Sequence, residues 1–287
     1  MNTNPMVSVV MISYGHEKYI AEAIRGVFMQ KTSFPVELLI ANDCSPDNSD
    51  QIIRETIQSA PENITVRYTR HEKNLGMMPN FIWALEQAQG KYIALCEGDD
   101  YWIAENKLQM QVDFLVNNSD ISLLFHDSEI VYEGTSENFS YHIPESRYYT
   151  ENELLTQWLV PTASVIFRKK DVYFAIEKLK NPNYYFGDIV LFLSLLKRGK
   201  LYGMNKKMST YRINPNGASK IDDTNRKYSR IILHLETLSK DFDFQYKDHF
   251  RSRIKNLSKM LSFYNLKNGN LVLFFKYFLK LFNLFYL

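Results

Sequence analysis

Cysteine is scarce. The 287-residue chain has two, Cys44 and Cys96, too few for a disulfide scaffold, and neither sits in a metal-binding spacing. An excess of charge is missing as well. With 34 Lys and Arg against 32 Asp and Glu, the net charge is +2, which argues against a nucleic-acid partner. The opening residues, MNTNPMVSVVMISY, lack a basic stretch followed by a long apolar run. No signal peptide is therefore expected, and a reducing, cytoplasmic setting fits. Internal repeats and low-complexity segments are absent. One further absence is local: no Asp or Glu follows Asp248, whereas Arg251, Arg253, Lys255, Lys259, Lys267, Lys276 and Lys280 do.

Hydrophobic residues make up 45% of the chain, enough to bury the core of one large α/β domain or two small ones. The first hundred residues alternate strand and helix signals, which predicts a largely parallel sheet covered by helices. VSVVMIS (from Val7), VELLIAND, ITVRYTR and KYIALCE read as strands. Ile20, Ile24, Val27 and Phe28 form a helical stripe after the first. Ser49 is expected to cap the second helix, Pro79 to sit in the first turn of the third, and Gly90 to close it. Beyond these come a helix at KLQMQVDFLV, a strand at ISLLFHDSEIVY and a loop or lid over 134–152. A strand at PTASVIFRKK, a helix at DIVLFLSLLKRGK and a short strand at MSTYRI follow.

The stretch ALCEGDDYW sets Glu97, Asp99 and Asp100 where a strand gives way to a loop. Ligands of open α/β sheets bind at such carboxyl ends. Like charges crowded there repel, and three uses are open: holding a hard divalent cation, sharing a proton, or forming a solvated acidic turn.

Several motifs together resemble family 2 glycosyltransferases with the GT-A nucleotide-sugar-binding fold. They are VSVVMISYGHEKYIAEAIRGVFMQ, LLIANDCSPDNS, HEKNLGMMPNFIWALEQAQGKYIALCEGDDYW, KLQMQVDFL, LVPTASVIFRKK and YFGDIVLFLSLLKRGKLYGMNKKMSTYRIN. The likeness runs in order over roughly residues 6–219. It implies an α/β fold with a mixed, mainly parallel sheet flanked by helices, a catalytic domain over 1–220 and a C-terminal helical extension over 221–287. It also implies an inverting, metal-dependent transfer of a sugar from a UDP-sugar to a growing cell-surface glycan.

By the same resemblance, Asp43 contacts the uracil ring, and Tyr14 and Asn74 belong to the nucleotide pocket; Arg70 could contact the nucleotide there or lie on the surface. The family's pair of aspartates here reads Asn42-Asp43. Asp99 is implied as the prime ligand of Mg²⁺ or Mn²⁺ on the donor diphosphate, assisted by Asp100 or Glu97. Asp188 matches the catalytic base, and as the start of a helix it also suits an N-cap. Arg212, in YRINPNGAS, matches the segment closing over the diphosphate, with Ser219 a lesser candidate. Asn214 stands where many relatives have histidine. His71 could reach the nucleotide or lie on the surface, and His126 could face the acceptor or fill the core. Tyr101 and Trp102 could stack on a sugar or pack the loop, and Met77 and Met78 are read as packing.

The tail NLVLFFKYFLKLFNLFYL has Lys276, Lys280 and Asn283 on one helical face, and two lysines in mid-span disfavour crossing a membrane. Residues 250–287 are therefore expected to make a peripheral membrane contact at the inner face of the cell membrane. The alternative is a hairpin, broken at Gly269, that packs on the catalytic domain or makes a homodimer. The acceptor implied is a glycan or lipid-linked oligosaccharide. Two rival functions are a sugar nucleotidyltransferase, for which SYGHEKYI supplies no glycine-rich phosphate loop, and a non-catalytic nucleotide-sugar-binding or membrane-tethered module.

Overall fold

The computed structural model describes residues 4–133, 138–157, 159–213, 223–242 and 247–283. The chain divides into two compact units, Met1–Lys180 with Leu191–Pro215, and Asn181–Val190 with Asn216–Leu287.

The first unit is built on one sheet. Strands β1 (Val7–Ser13), β2 (Val36–Asn42), β3 (Ile64–Arg70) and β4 (Tyr92–Leu95) are parallel in the order β3-β2-β1-β4. Helices α1 (Ile20–Phe28), α2 (Ser49–Thr56) and α3 (Met77–Gln87) make the crossovers. A parallel sheet is covered on both faces, which is why β1 and β2 are continuous buried runs rather than alternating ones. Ile20, Ala23, Ile24 and Val27 bury the inner stripe of α1. Each of the isoleucines and the valine contributes about 1.5–3 kcal/mol when fully buried.

The sheet continues through β9 (Ile166–Arg168), β6 (Ile121–Tyr132), β10 (Lys200–Ile213) and β5 (Tyr101–Trp102). Here β9 runs antiparallel to β4 and β6, β10 runs parallel to β6, and β5 runs antiparallel to β10. The sheet curls, because β5, last in the order, meets α1. A Cβ on Gly26 would stand 2.8 Å from the Trp102 backbone nitrogen, so only glycine permits that approach. Helix α4 (Lys107–Asn117) falls where expected.

Local expectations differ from the structure in five places. Ser49 is the first residue of α2, not its cap; its hydroxyl is bound to Asp47 and to the N–H of His16. Helix α3 ends at Gln87, and Gly90 serves packing instead, since a Cβ there would lie 2.7 Å from the Val7 carbonyl carbon. The expected loop over 134–152 contains β7 (Asn138–Ser140), paired with β6, and β8 (Arg147–Tyr149), paired with β10. It also holds the start of α5 (Glu151–Gln157). Three-residue strands are too short to show a period. PTASVIFRKK is mostly not strand: Thr162–Ser164 is a 3₁₀ turn, and Lys169 opens α6 (Lys169–Leu179). Finally, β10 extends from Lys200, and register shifts between Met204 and Ser209 break the alternation that would have revealed its first half.

In the second unit, α7 (Gly187–Leu196) starts at Gly187, and α8 (Thr224–Asp241), α9 (Lys247–Lys267) and α10 (Leu271–Asn283) follow. Asp223 caps α8 by accepting the Arg226 N–H. Ile232, Leu235 and Leu238 of α8, Phe250, Ile254 and Leu261 of α9 and Tyr277 of α10 are buried. Gly269, at φ +72°, takes the left-handed turn between α9 and α10. Among the described residues no helix is long and apolar enough to cross a membrane.

Candidate active site

The loops after β1, β2 and β4 form a rim at the carboxyl ends of the parallel strands. After β1 the N–H groups of Gly15, His16 and Glu17 donate in turn to Ser45 Oγ (3.1 Å), Ser49 Oγ (3.0 Å) and Asp47 Oδ2 (3.0 Å). This fixes the first loop to the second and leaves Tyr14 exposed on it. Asp43, just past β2, is buried. Its two carboxylate oxygens accept the N–H groups of Leu75 (2.7 Å) and Gly76 (2.9 Å). Asp43 thereby holds the loop on which exposed Asn74 stands.

Asn42 accepts the Ser45 N–H at 2.9 Å and donates its amide to the Tyr68 hydroxyl at 3.0 Å. That hydroxyl in turn donates to Asp50. An aspartate at position 42 could not make the donation to Tyr68, which accounts for asparagine here. Arg70 ends β3 exposed. His71 is a packing residue: its Nε2 meets Asn80 Oδ1 at 2.9 Å, and its ring lies edge-on to Trp83.

Past β4 comes the acidic turn. The Gly98 N–H donates to the Ile12 carbonyl at 3.0 Å, anchoring the turn on β1. A Cβ on Gly98 would lie 2.7 Å from His16 Nδ1 and 2.9 Å from Ile20 Cδ1, so any larger residue between Glu97 and Asp99 would displace these side chains. His16 was not singled out from the sequence, yet its Nε2 stands 3.8 Å from Asp99 Oδ2. The only available signal was a histidine in the first strand-to-helix loop. Asp100 is buried. Its Oδ1 accepts the Arg212 backbone N–H at 2.9 Å, and its Oδ2 has no hydrogen-bond partner. Burial first, then the charges of Asp99 and Glu97, push its carboxyl well above the usual range.

Arg212, near the end of β10, completes the cluster. Its Nε donates to the Asp99 carbonyl at 3.0 Å and its Nη2 to Glu22 Oε2 at 2.6 Å. The guanidinium lies over the rings of Tyr19 and Tyr101, 4.7 and 5.1 Å from their centroids. Tyr19 donates its hydroxyl to Glu133 at 2.7 Å, and burial followed by that bond pushes the phenol up to about 12. Tyr19, Glu22 and Glu133 were all missed from sequence, because their link to Arg212 spans distant parts of the chain.

Trp102 is buried and donates its indole N–H to the Ala163 carbonyl at 2.8 Å. Lys107 Nζ sits 3.9 Å from its ring centroid, so Trp102 packs the loop. His126 is a core histidine, bonded through Nδ1 to the Asp127 carbonyl at 2.7 Å. Met77 is half exposed rather than packed. Asn214 and Ser219 lie outside the described residues.

Asp188 stands in the first turn of α7, half-buried, with its own Oδ1 accepting the Ile189 N–H at 2.8 Å. Burial pushes its carboxyl up to about 6. Each of the three residues before Gly187 is tied to α8. Tyr184 donates to Asp241 Oδ2 at 2.6 Å, the Tyr185 N–H donates to His234 Nδ1 at 3.2 Å, and the Phe186 ring lies edge-on to His234. Burial, with Arg253 second, pushes His234 down to about 4, which keeps it the neutral acceptor that this bond needs.

Among the described residues no three His, Cys, Asp or Glu side chains are grouped to hold a metal by themselves. The acidic turn nevertheless suits a hard cation that takes most of its ligands from phosphate and water. Its donors are carboxylate oxygens, and one of them, Asp100 Oδ2, is buried and unpaired.

Residues 8–172 match the family model described as Glycosyl transferase family 2. The chain is 32% identical over 221 residues to the putative teichuronic acid biosynthesis glycosyltransferase TuaG of Bacillus subtilis, covering 76% of this chain and 83% of that one. Uncharacterized mycobacterial proteins, among them one from Mycobacterium tuberculosis, match at 36% identity over 168 residues. That match covers 58% of this chain, which spans about half (48%) of their length. Among solved structures, S. aureus TarS 1–349 in complex with UDP-GlcNAc superposes with a TM-score of 0.61 at 18% identity, over 93% of this chain and 89% of that one. The mannosyltransferase PcManGT of Pyrobaculum calidifontis, in complex with GDP-Man and Mn²⁺, superposes with 0.60 at 14% identity, over 90% and 71%. These likenesses carry the fold.

Proposed function

The chain belongs to glycosyl transferase family 2, so it is a glycosyltransferase by family, and from that premise we propose that it transfers a sugar, with inversion, from a UDP-sugar to a hydroxyl of a growing cell-surface glycan. The carrying observation is the acidic turn at the mouth of the sheet, with Asp99 beside His16 and an unpaired Asp100 oxygen. In this reading residues 1–220 are the catalytic domain and 221–287 its helical extension. The reaction takes place at the cytoplasmic face of the membrane, and the acceptor is a glycan or a lipid-linked oligosaccharide.

Each residue then has a part. Asp43, Tyr14, Asn74 and Arg70 line the nucleotide pocket. Asp43 has both oxygens on backbone donors and keeps spare lone pairs for a uracil N–H. Asp99, with Asp100 and Glu97, would hold Mg²⁺ or Mn²⁺ on the diphosphate. Such an ion stabilises the charge that develops on the departing UDP. Arg212 holds the turn and offers its remaining guanidinium donors to phosphate.

Asp188 takes the proton of the acceptor hydroxyl as that oxygen attacks the anomeric carbon from the face opposite the diphosphate. A carboxyl near 6 is ionised at neutral pH, yet more basic than an ordinary aspartate, as a general base requires. The UDP-GlcNAc complex of the TarS fold neighbour supports the donor class, and the match to TuaG, named for teichuronic acid biosynthesis, supports the surface-glycan product. Screening UDP- and dTDP-sugars for slow, Mn²⁺-dependent hydrolysis tests the reading. Release of UDP from one UDP-sugar is expected, and tight UDP binding with no turnover of any donor would make the protein a binding module.

A further inference from the structure

Helix α10 is inverted relative to an ordinary surface helix. Its buried side carries Tyr277, and Lys280 turns inward so that its Nζ lies 2.5 Å from Glu236 Oε1. Its outer side is apolar: Leu271, Val272, Phe275, Phe278, Leu279 and Phe282 are between 39 and 80% exposed. The last turns of α9 add exposed Met260, Phe263 and Leu266. Exposure of this much aromatic and aliphatic surface on one hairpin marks a surface that something covers.

Charge on the same hairpin identifies what covers it. Lys255, Lys259, Lys267 and Lys276 are exposed, and no acidic residue occurs after Asp248. The nearby acids of α8 are engaged, Glu236 with Lys280 and Asp241 with Tyr184. The hairpin's one acid, Asp248 in the first turn of α9, pairs with Arg251, so a second copy related by a two-fold axis would bring two basic faces together, which repel. An anionic lipid surface answers both features, with acyl chains for the aromatic face and phosphates for the lysines. At about 1.5 Å per residue, α10 is also too short to cross a bilayer core of roughly 30 Å.

We propose that the outer face of the α9–α10 hairpin docks on an anionic lipid bilayer, with α10 in the plane of the surface and Phe275, Leu279 and Phe282 below the headgroups. The proposal rests on the hairpin alone, so it stands or falls separately from the assignment of the reaction.

The test is sedimentation of the full chain with vesicles of phosphatidylcholine, alone or mixed with phosphatidylglycerol, at low and high salt. Binding is expected to the mixed vesicles only and to weaken with salt. Phe275→Glu with Leu279→Glu, and separately Lys259→Glu with Lys267→Glu, should each reduce the bound fraction about tenfold or more. The melting temperature and UDP affinity should not change, because all four side chains are exposed. Equal binding to neutral vesicles, no binding to either, or a dimer by light scattering that the Phe275 and Leu279 changes dissociate would each overturn the proposal.

Discussion

Arg212 grips the acidic turn twice: its backbone N–H donates to Asp100 Oδ1 at 2.9 Å, and its Nε reaches the Asp99 carbonyl at 3.0 Å. The side chain therefore positions the backbone of the residue proposed to hold the cation. Arg212→Ala keeps the first bond and loses the second, together with the ion pair to Glu22. A loss in kcat/KM on the order of 10²-fold is expected from the misplaced turn. Arg212→Lys should recover little, since an ammonium cannot span Glu22 and the Asp99 carbonyl as a fork does. Steady-state kinetics of both variants check this.

As the proposed base, Asp188 should set the pH dependence. Its folded carboxyl, near 6, lies above the ordinary aspartate value of about 3.9. The base form is lost as pH falls, so kcat/KM should drop below about pH 6. Asp188→Asn should abolish transfer while UDP affinity stays within about twofold. The stability effect has the opposite direction: a raised acid binds more protons folded than unfolded, so its contribution is present at low pH and lost as pH rises through 6. Asp188→Asn should thus melt no lower than the parent at pH 8, which differential scanning calorimetry measures.

Two glycines separate a site effect from a packing effect. Gly98→Ala puts a methyl 2.7 Å from His16 Nδ1 beneath Asp99, and should reduce both stability and kcat. Gly90→Ala crowds the Val7–Ser8 backbone at the opposite end of β1 and should cost about 1–3 kcal/mol of stability with kcat unchanged. Denaturant titration beside turnover checks the contrast.

Lys107 is fully buried, bonded to Gln111 and set over the Trp102 ring; burial pushes it down to about 7. Above that pH the unfolded chain, with an ordinary lysine, binds the extra proton. Stability should therefore rise from pH 7 to 8 by up to about 1.4 kcal/mol, and Lys107→Met should flatten that rise. Urea unfolding at the two pH values measures it.

The parallel half of the sheet was legible because strands buried on both faces read as unbroken apolar runs, and the acidic turn because three carboxylates after such a run are conspicuous. The antiparallel half was less so. The pairing of β7 and β8 is made by backbone, with three residues each, and the bulged register of β10 erases its alternation. For the candidate site, sequence reading named Asp43, Tyr14, Arg70, Asn74, Glu97, Asp99, Asp100, Asp188 and Arg212 as candidates. It missed His16, Glu22, Glu133 and Tyr19, whose roles come from contacts between residues distant along the chain. The inward turn of Lys280 was not legible, because periodicity shows which residues share a face but not that Glu236 would draw the lysine inward.

The most direct measurement is calorimetric titration of UDP, with and without Mn²⁺, into the native protein and into Asp99→Ala. The account predicts that Mn²⁺ tightens UDP binding to the native protein by at least about tenfold and leaves the variant unchanged. Equal tightening in both proteins, or none in the native one, would contradict a cation held by Asp99 on the donor diphosphate.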